Sequence, residues 1–252
     1  MNAVDLMTGQ WLDEAGIGRG QRLLDIGCGP GVVTEMLARR VGPGGHVWGA
    51  DIDAGMLNVA RRRLDAAGLS DRVDLIQAGF DAAPEDAKGW DGVVGRRVLK
   101  YQRDPVAALK ALFPALRPGG HVLFHEHDMV TADDPRADLP LHRTVRSWLR
   151  QMLEHEGAHL NMGHDLHRAF TEAGYKVEKV EARANVLTPD SDYPIAQIIA
   201  GVMPRLERYG IVKTGEVDTE LLDHSLRQER RRAGATLVWE LVFCGWARKP
   251  AD

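Results

Sequence analysis

The stretch Leu23-Leu24-Asp25-Ile26-Gly27-Cys28-Gly29-Pro30-Gly31 decides the fold. Its apolar residues, interrupted by one acid, predict a buried strand that stops at its carboxyl end. Three glycines then turn the chain tightly into a helix, and such a turn lets backbone approach a ligand where a Cβ would stand in the way. A second strand, Val47-Trp48-Gly49-Ala50-Asp51, ends in another acid. A glycine turn followed one βαβ unit later by an acid is the layout of a nucleoside cofactor site, with the acid gripping the ribose.

Glycine spacing narrows the cofactor. A dinucleotide turn needs Gly-x-Gly-x-x-Gly to seat a pyrophosphate on the helix N-terminus. Counted from Gly27, that third glycine falls on Val32; the spacing here is Gly-x-Gly-x-Gly, with Asp25 just ahead of it. A carboxylate at that point repels a pyrophosphate and suits an ammonium group. S-adenosylmethionine carries an ammonium on its methionine end and has no phosphate. The stretch resembles motif I of the class I S-adenosylmethionine-dependent methyltransferases.

The alternation continues outward. Strands are expected over 22–26, 46–50, 73–78, 91–95 and 121–125, separated by helical patterns, which implies an α/β protein with a parallel sheet and helices on both faces. Asp53 is expected to cap a helix with a stripe of Met56, Leu57, Ala60 and Leu64. Asp104-Pro105 reads as a cap followed by proline at the first helical position. After the fifth strand the rhythm breaks. Helical insertions are expected over 135–165, with Trp148 and Met152 on one face, and over 190–232, with an apolar stripe from Ile195 to Leu206 and a helix capped by Asp218. These stripes read equally as a cap over the strand ends, as packing on the sheet, or as a homodimer interface. A last strand covers 236–246.

The resemblance runs from Arg22 to about Asp128. Gly49-Ala50-Asp51-Ile52-Asp53 is similar to the family's second motif, where the first acid holds both ribose hydroxyls. Met56 falls where an apolar residue packs on the adenine, and Ala78-Gly79-Phe80-Asp81 where the family meets the adenine amino edge. Trp90 to Leu99 matches the fourth strand and its exit, and Leu116-Arg117-Pro118-Gly119-Gly120 the turn before the fifth. The short tail Trp246-Ala247-Arg248-Lys249-Pro250 resembles that of small-molecule enzymes of secondary metabolism. The resemblance implies a Rossmann-like, seven-stranded, mostly parallel sheet with the last strand antiparallel. It also implies S-adenosylmethionine as cofactor and S-adenosylhomocysteine as product. The cofactor-binding residues it implies are Asp25, Gly27, Cys28, Gly29, Gly31, Asp51, Ile52, Met56, Gly79, Phe80, Asp81 and Arg96. Phe80 separates the glycine from the acid that follows it directly in many relatives, so a backbone N–H of Phe80 is an alternative to Asp81. The short segment before motif I leaves the helix around Trp11, expected within 1–20, as a reduced lid, or else the later insertions close the site.

Ligands in open α/β sheets lie beyond the carboxyl ends of the strands. Tyr101, after the fourth strand, and His125-Glu126-His127-Asp128, taken to follow the fifth, are therefore the catalytic candidates. Neutral imidazole titrates near working pH, so His127 is the candidate base, with Glu126 or Asp128 to orient it. No metal is expected, because Arg96 and Arg97 stand where divalent-metal relatives carry an acidic pair. Net charge is −4 over 252 residues, which provides no basic field for nucleic acid or anionic membrane. Arg227 to Arg232 reads as a solvated helix face. Two cysteines make no disulfide framework. With no signal-peptide pattern and no long apolar run, a cytoplasmic setting is expected. The whole chain reads as a single methyltransferase domain acting on a small apolar or aromatic acceptor. RNA or protein methylation, or a fold that keeps the cofactor without methylating, are the alternatives.

Overall fold

Side-chain alternation along the strands builds two cores on opposite faces of a sheet. Leu24, Val93 and Phe124 enter one core, while their neighbours Leu23, Val94 and Leu123 enter the other. The computed structural model describes residues 3–80, 89–128, 138–192 and 195–251. Its strands are β1 (Arg22–Ile26), β2 (His46–Asp51), β3 (Val73–Gln77), β4 (Trp90–Arg96), β5 (Leu116–Asp128), β6 (Lys176–Leu187) and β7 (Leu237–Arg248). They form one seven-stranded sheet in the order β3-β2-β1-β4-β5-β7-β6. It is mostly parallel with the last strand antiparallel, as expected from the sequence. β1 lies in the middle, parallel to β2 on one side and β4 on the other.

The chain divides into two compact units. The first comprises Met1–Glu126, Met162–Ala182 and Val242–Asp252, and the second His127–Asn161 and Arg183–Leu241. Helices α1 (Ala3–Glu14), α2 (Val32–Val41), α3 (Ala54–Ala66), α4 (Pro105–Leu112) and α6 (Met162–Glu172) belong to the first. Leu109 and Leu112 of α4 and Leu166 and Phe170 of α6 fill one of its cores; Trp11 and Leu12 of α1 and Leu37 of α2 fill the other. Trp11 is fully buried, with its indole N–H donated to Glu181, so it is a core residue rather than a lid, which was one of the two alternatives read from the sequence. The caps are where the sequence put them. Asp53 accepts from the N–H groups of Gly55 and Met56, and Asp104 from that of Ala107 with Pro105 following. Met56 departs from its expected stripe: Leu57, Ala60 and Leu64 are buried, whereas Met56 is 40% exposed.

The second unit holds α5 (Pro140–His155), α7 (Ile195–Arg208) and α8 (Thr219–Ala233), the last capped by Asp218. Val145, Leu149 and Met152 of α5, Ile195, Ile199 and Leu206 of α7, and Leu222 and Leu226 of α8 pack on one another. Trp148 lies partly buried against that core. Arg230 breaks the expected solvated run: it is 1% exposed and donates from Nη2 to the Ser191 carbonyl at 2.7 Å.

Candidate active site

Strand order diverges in opposite directions from β1, and the first unit presents its glycine turn at the carboxyl end of that strand. Gly27, Gly29 and Gly31 all have positive φ, at 70°, 51° and 79°. A Cβ on Gly27 would stand 2.4 Å from Cγ2 of Val98, and one on Gly31 would stand 2.9 Å from the Ala60 Cβ. Nothing lies within 4 Å of the Cβ position at Gly29, so the middle of the bend is open to a ligand. The N–H groups of Gly27 and Cys28 both donate to the Ala50 carbonyl, at 2.8 and 2.9 Å, which stitches the bend to β2.

Asp51 closes β2 beside this bend. Its Oδ2 accepts the Gly29 N–H at 2.8 Å and its Oδ1 the Asp53 N–H at 2.9 Å. A carboxylate offers about four lone-pair sites, so two backbone donors orient it and leave acceptor capacity for a vicinal diol. Ile52, 76% exposed, and Met56 follow it as bare apolar surface. Gly79 is half-buried, and Phe80 is buried with its ring stacked near Phe124 at 6.3 Å. Asp81 lies outside the described residues.

Asp25 is 1% exposed. Its Oδ2 accepts from Thr34 Oγ1 at 2.5 Å, while Oδ1 is buried with no hydrogen-bond partner among the described residues. Burial pushes its carboxyl up to about 6, against the lowering effect of the Thr34 hydroxyl and Arg96. Cys28 is buried in the bend, and burial, then the charges of Asp25 and Asp51, push its thiol up.

The exit of β4 is held from β5. Arg97 has φ 58°, the one positive value among described residues other than glycine, and donates its N–H to the His125 carbonyl at 2.8 Å. Glu126 Oε1 then accepts the N–H groups of Val98 and Leu99 at 2.9 and 2.8 Å. Glu126 thereby fixes Val98, the side chain that fills the space beneath Gly27. Burial pushes the Glu126 carboxyl up to about 7, with Lys100 acting in the other direction. Arg96, a cofactor candidate from the sequence, donates to Asp5 of α1 at 2.8 Å. Tyr101 is exposed, with the Lys100 ammonium 4.8 Å from its ring centre.

The segment His125 to Asp128 corrects the sequence reading. It was expected to follow the fifth strand, yet β5 continues to Asp128 and all four residues are buried. His125 meets Thr8 Oγ1 through Nδ1 at 3.0 Å and the edge of the Trp11 ring, and burial, then Arg97 and Arg96, hold its pKa well below the usual value. Glu126 Oε1 is taken up by the exit of β4, and Glu240 of β7 places its Oε2 3.7 Å from His127 Nδ1 within the second unit. Asn185 of β6 donates from Nδ2 to Glu240 Oε1 at 3.2 Å. Neither residue was singled out from the sequence. Glu240 does carry a signal, as the one acid in the apolar run 237–246, whereas Asn185 lies in the charged, mixed strand 176–187 and carries none. Among the described residues no group of three or more His, Cys, Asp or Glu side chains is placed to hold a metal ion. No helix among them is long and apolar enough to cross a membrane.

Fold and bend together define an α/β protein with an open glycine turn and an oriented carboxylate at the carboxyl ends of its central strands. The chain belongs to the methyltransferase domain family, whose profile matches residues 7–180. The ubiquinone/menaquinone biosynthesis C-methyltransferase UbiE of Pectobacterium atrosepticum is 37% identical over 112 residues, 44% of this chain and 45% of that protein. The chain thus spans about half the length of the curated relatives it matches. A putative methyltransferase from Bacillus halodurans shares the fold with a TM-score of 0.62 at 17% identity, covering 97% of this chain and 99% of that one. The cyclase SpnF does so with a TM-score of 0.62 at 18% identity, covering 99% and 82%. S-adenosylmethionine is the cofactor of the family, and other solved neighbours are complexes with it or with S-adenosylhomocysteine.

Proposed function

We propose that the protein transfers the methyl group of S-adenosylmethionine to a small, largely apolar or aromatic acceptor. One observation carries this reading: Asp51 is oriented by two backbone N–H groups beside an open Gly-x-Gly-x-Gly bend. When bound, the cofactor supplies a methyl carbon on a cationic sulfur, ready for in-line displacement.

The residues of the chain fit such a ligand. Asp51 takes the ribose hydroxyls on its remaining lone pairs. Ile52 and Met56 provide an apolar face for the adenine, and the backbone at Gly79 and Phe80 meets its amino edge. The Asp25 Oδ1, buried and without a hydrogen-bond partner among the described residues, is matched by the methionine ammonium. Gly27, Gly29 and Gly31 hold the bend, with Cys28 at its centre. Arg96, paired with Asp5, holds α1 beside the strand ends and lowers the charge cost of Asp25.

The chain's work in the transfer is alignment and exclusion of water, which supplies several kcal/mol when reacting atoms are held in line. A proton acceptor is needed only where the acceptor must lose a proton early. His127 is assigned that role, Glu126 sets the β4 exit, and Tyr101 contacts the acceptor. The second unit, which the chain enters directly after Glu126, is the proposed source of acceptor selectivity. The UbiE relatives are C-methyltransferases of ubiquinone/menaquinone biosynthesis, which favours an aromatic acceptor here.

Because one neighbour of this fold is a cyclase, the test must see the methyl group move. Calorimetry with S-adenosylhomocysteine should show stoichiometric binding, and mass spectrometry should show its formation from S-adenosylmethionine with phenolic acceptors. Absence of binding overturns the reading; binding without methyl transfer to any acceptor leaves a cofactor-retaining protein of another activity.

A further inference from the structure

The exit of β4 holds a strained backbone next to the glycine bend. Arg97 sits at φ 58°, in the left-handed region that residues with a Cβ rarely adopt. Such a conformation persists only where neighbouring contacts determine it, and it gathers at binding sites. Here the contacts come from β5. The Arg97 N–H donates to the His125 carbonyl at 2.8 Å, and the N–H groups of Val98 and Leu99 donate to Glu126 Oε1 at 2.9 and 2.8 Å. The Val98 carbonyl accepts the Tyr101 N–H at 3.2 Å and the Gln102 side-chain amide at 3.3 Å. Both backbone polar groups of Val98 are therefore pinned.

The Val98 side chain meets two glycines. Its Cγ2 and Cβ take the room that a Cβ on Gly27 would need, and its Cγ1 lies 2.9 Å from the Cβ position of Gly95 in β4. The bend rests on Val98 from one side. From the other, the Ala50 carbonyl accepts the N–H groups of Gly27 and Cys28. The next glycine along, Gly29, donates to Asp51 Oδ2 at 2.8 Å. All of these residues, with Glu126, belong to the first unit.

We propose that Glu126 is a positioning residue for the cofactor, setting the glycine bend through Val98 and so the placement of Asp51. The inference rests on the cofactor assigned in the methyl-transfer reading and names a residue that shapes its site without touching it.

Packing alone does not explain Glu126. It is fully buried, and its Oε2 has no hydrogen-bond partner among the described residues. An apolar residue of similar volume would avoid that desolvation cost. It would also leave the Val98 and Leu99 N–H groups without an acceptor at the point where the chain is strained. One carboxylate oxygen has two lone pairs and meets both donors at once, and bonds to an ionised acceptor are the stronger kind. A shift of Val98 reaches Gly27 directly, because the two are in van der Waals contact with no space between them.

A double-mutant cycle tests the relay. S-adenosylhomocysteine is titrated calorimetrically onto the full chain, at about pH 8, where Glu126 is ionised. Glu126→Ala and Val98→Ala should each weaken binding about tenfold. If Glu126 acts through Val98, the double variant should bind about as weakly as the weaker single, not by the product of about a hundredfold. Glu126→Gln keeps the accepting oxygen and should bind within about threefold of wild type. Hydrogen exchange of the ligand-free chain is the second readout. Peptides covering 27–31 should exchange about tenfold faster in Glu126→Ala and in Val98→Ala, while those covering 73–77 of β3 stay as in wild type. A general loss of stability would accelerate both. Thermal melts establish that each variant is folded; should Glu126→Ala fail to fold, Glu126→Asp, which withdraws the oxygen by one methylene, takes its place in the cycle. Undiminished affinity in either single variant, a double variant at the product of the singles, or a glutamine variant as weak as the alanine one overturns the proposal. Failure of the wild-type chain to bind S-adenosylhomocysteine would instead overturn the methyl-transfer reading. The exchange arm then scores the relay by itself, and unchanged exchange over 27–31 in Glu126→Ala overturns it.

Discussion

Asp25→Asn separates what the bend needs for stability from what it needs for binding. Asp25 sits 1% exposed on β1, with one carboxylate oxygen held by Thr34 and the other without a hydrogen-bond partner among the described residues. Burial raises its pKa from 3.8 to about 6. The native chain therefore holds this proton more tightly than the unfolded chain. Stability from this group is complete below pH 3.8 and is lost as pH rises through the window up to about 6. About two pH units at about 1.4 kcal/mol each put the loss near 3 kcal/mol at pH 8. Asparagine keeps an oxygen for Thr34 and carries no charge. Its NH2 group replaces an acceptor with a donor, which takes back about 1–3 kcal/mol. At pH 8 the variant should match the wild type or exceed it by up to about 2 kcal/mol, with Tm higher by up to about 4–8 °C. Its stability should also lose the fall between pH 4 and 6. Binding should move the other way. Wild-type affinity for S-adenosylhomocysteine should tighten as pH rises through about 6, whereas the variant should bind about tenfold or more weakly with no such dependence. Urea denaturation at pH 5 and pH 8, with calorimetry at both, reads these quantities. A variant clearly less stable than wild type at pH 8, or one with undiminished affinity, would refute the reasoning for Asp25.

Substitutions at three further positions probe the same site. Asp51→Ala removes an oriented carboxylate from the ribose position, and should weaken S-adenosylhomocysteine by about 1.5–3 kcal/mol, or about 10- to 150-fold, in calorimetry. Gly27→Ala places a methyl 2.4 Å from Val98 at φ 70° and should cost about 2–5 kcal/mol in denaturant melts, along with cofactor affinity. Glu126→Ala strands the N–H groups of Val98 and Leu99, at about 1–3 kcal/mol each, whereas Glu126→Gln keeps the accepting oxygen. With the Glu126 carboxyl pushed up to about 7, wild-type stability from this group falls between pH 4.5 and 7, and the glutamine variant should show no such fall in that range.

Local chemistry made much of the fold legible. The glycine spacing at 27–31, the caps at Asp53, Asp104 and Asp218, and the strand–helix rhythm each depend on a few neighbouring residues, and each is present as read. Reading failed where burial is decided by distant chain. His125 to Asp128 look like a polar loop because four titratable residues in a row rarely enter a core. They are buried because Thr8 and Val98 with Leu99 in the first unit, and Glu240 in the second, meet three of them. Trp11 reads as a lid from its position near the start, but Leu23, Val47 and Val242 share its core. Arg230 reads as one of a solvated run until the Ser191 carbonyl meets its guanidinium. Glu240 is separated from His127 by more than a hundred residues of chain, and no spacing rule reaches that far.

The most direct measurement is a crystal structure of the chain grown with S-adenosylhomocysteine. The ribose hydroxyls should lie on Asp51, the adenine against Ile52 and Met56, and the amino-acid end on the bend from Asp25 to Gly31. An adenosyl group bound elsewhere, or a bend that stays empty at saturating ligand, would contradict the cofactor site on which everything else depends.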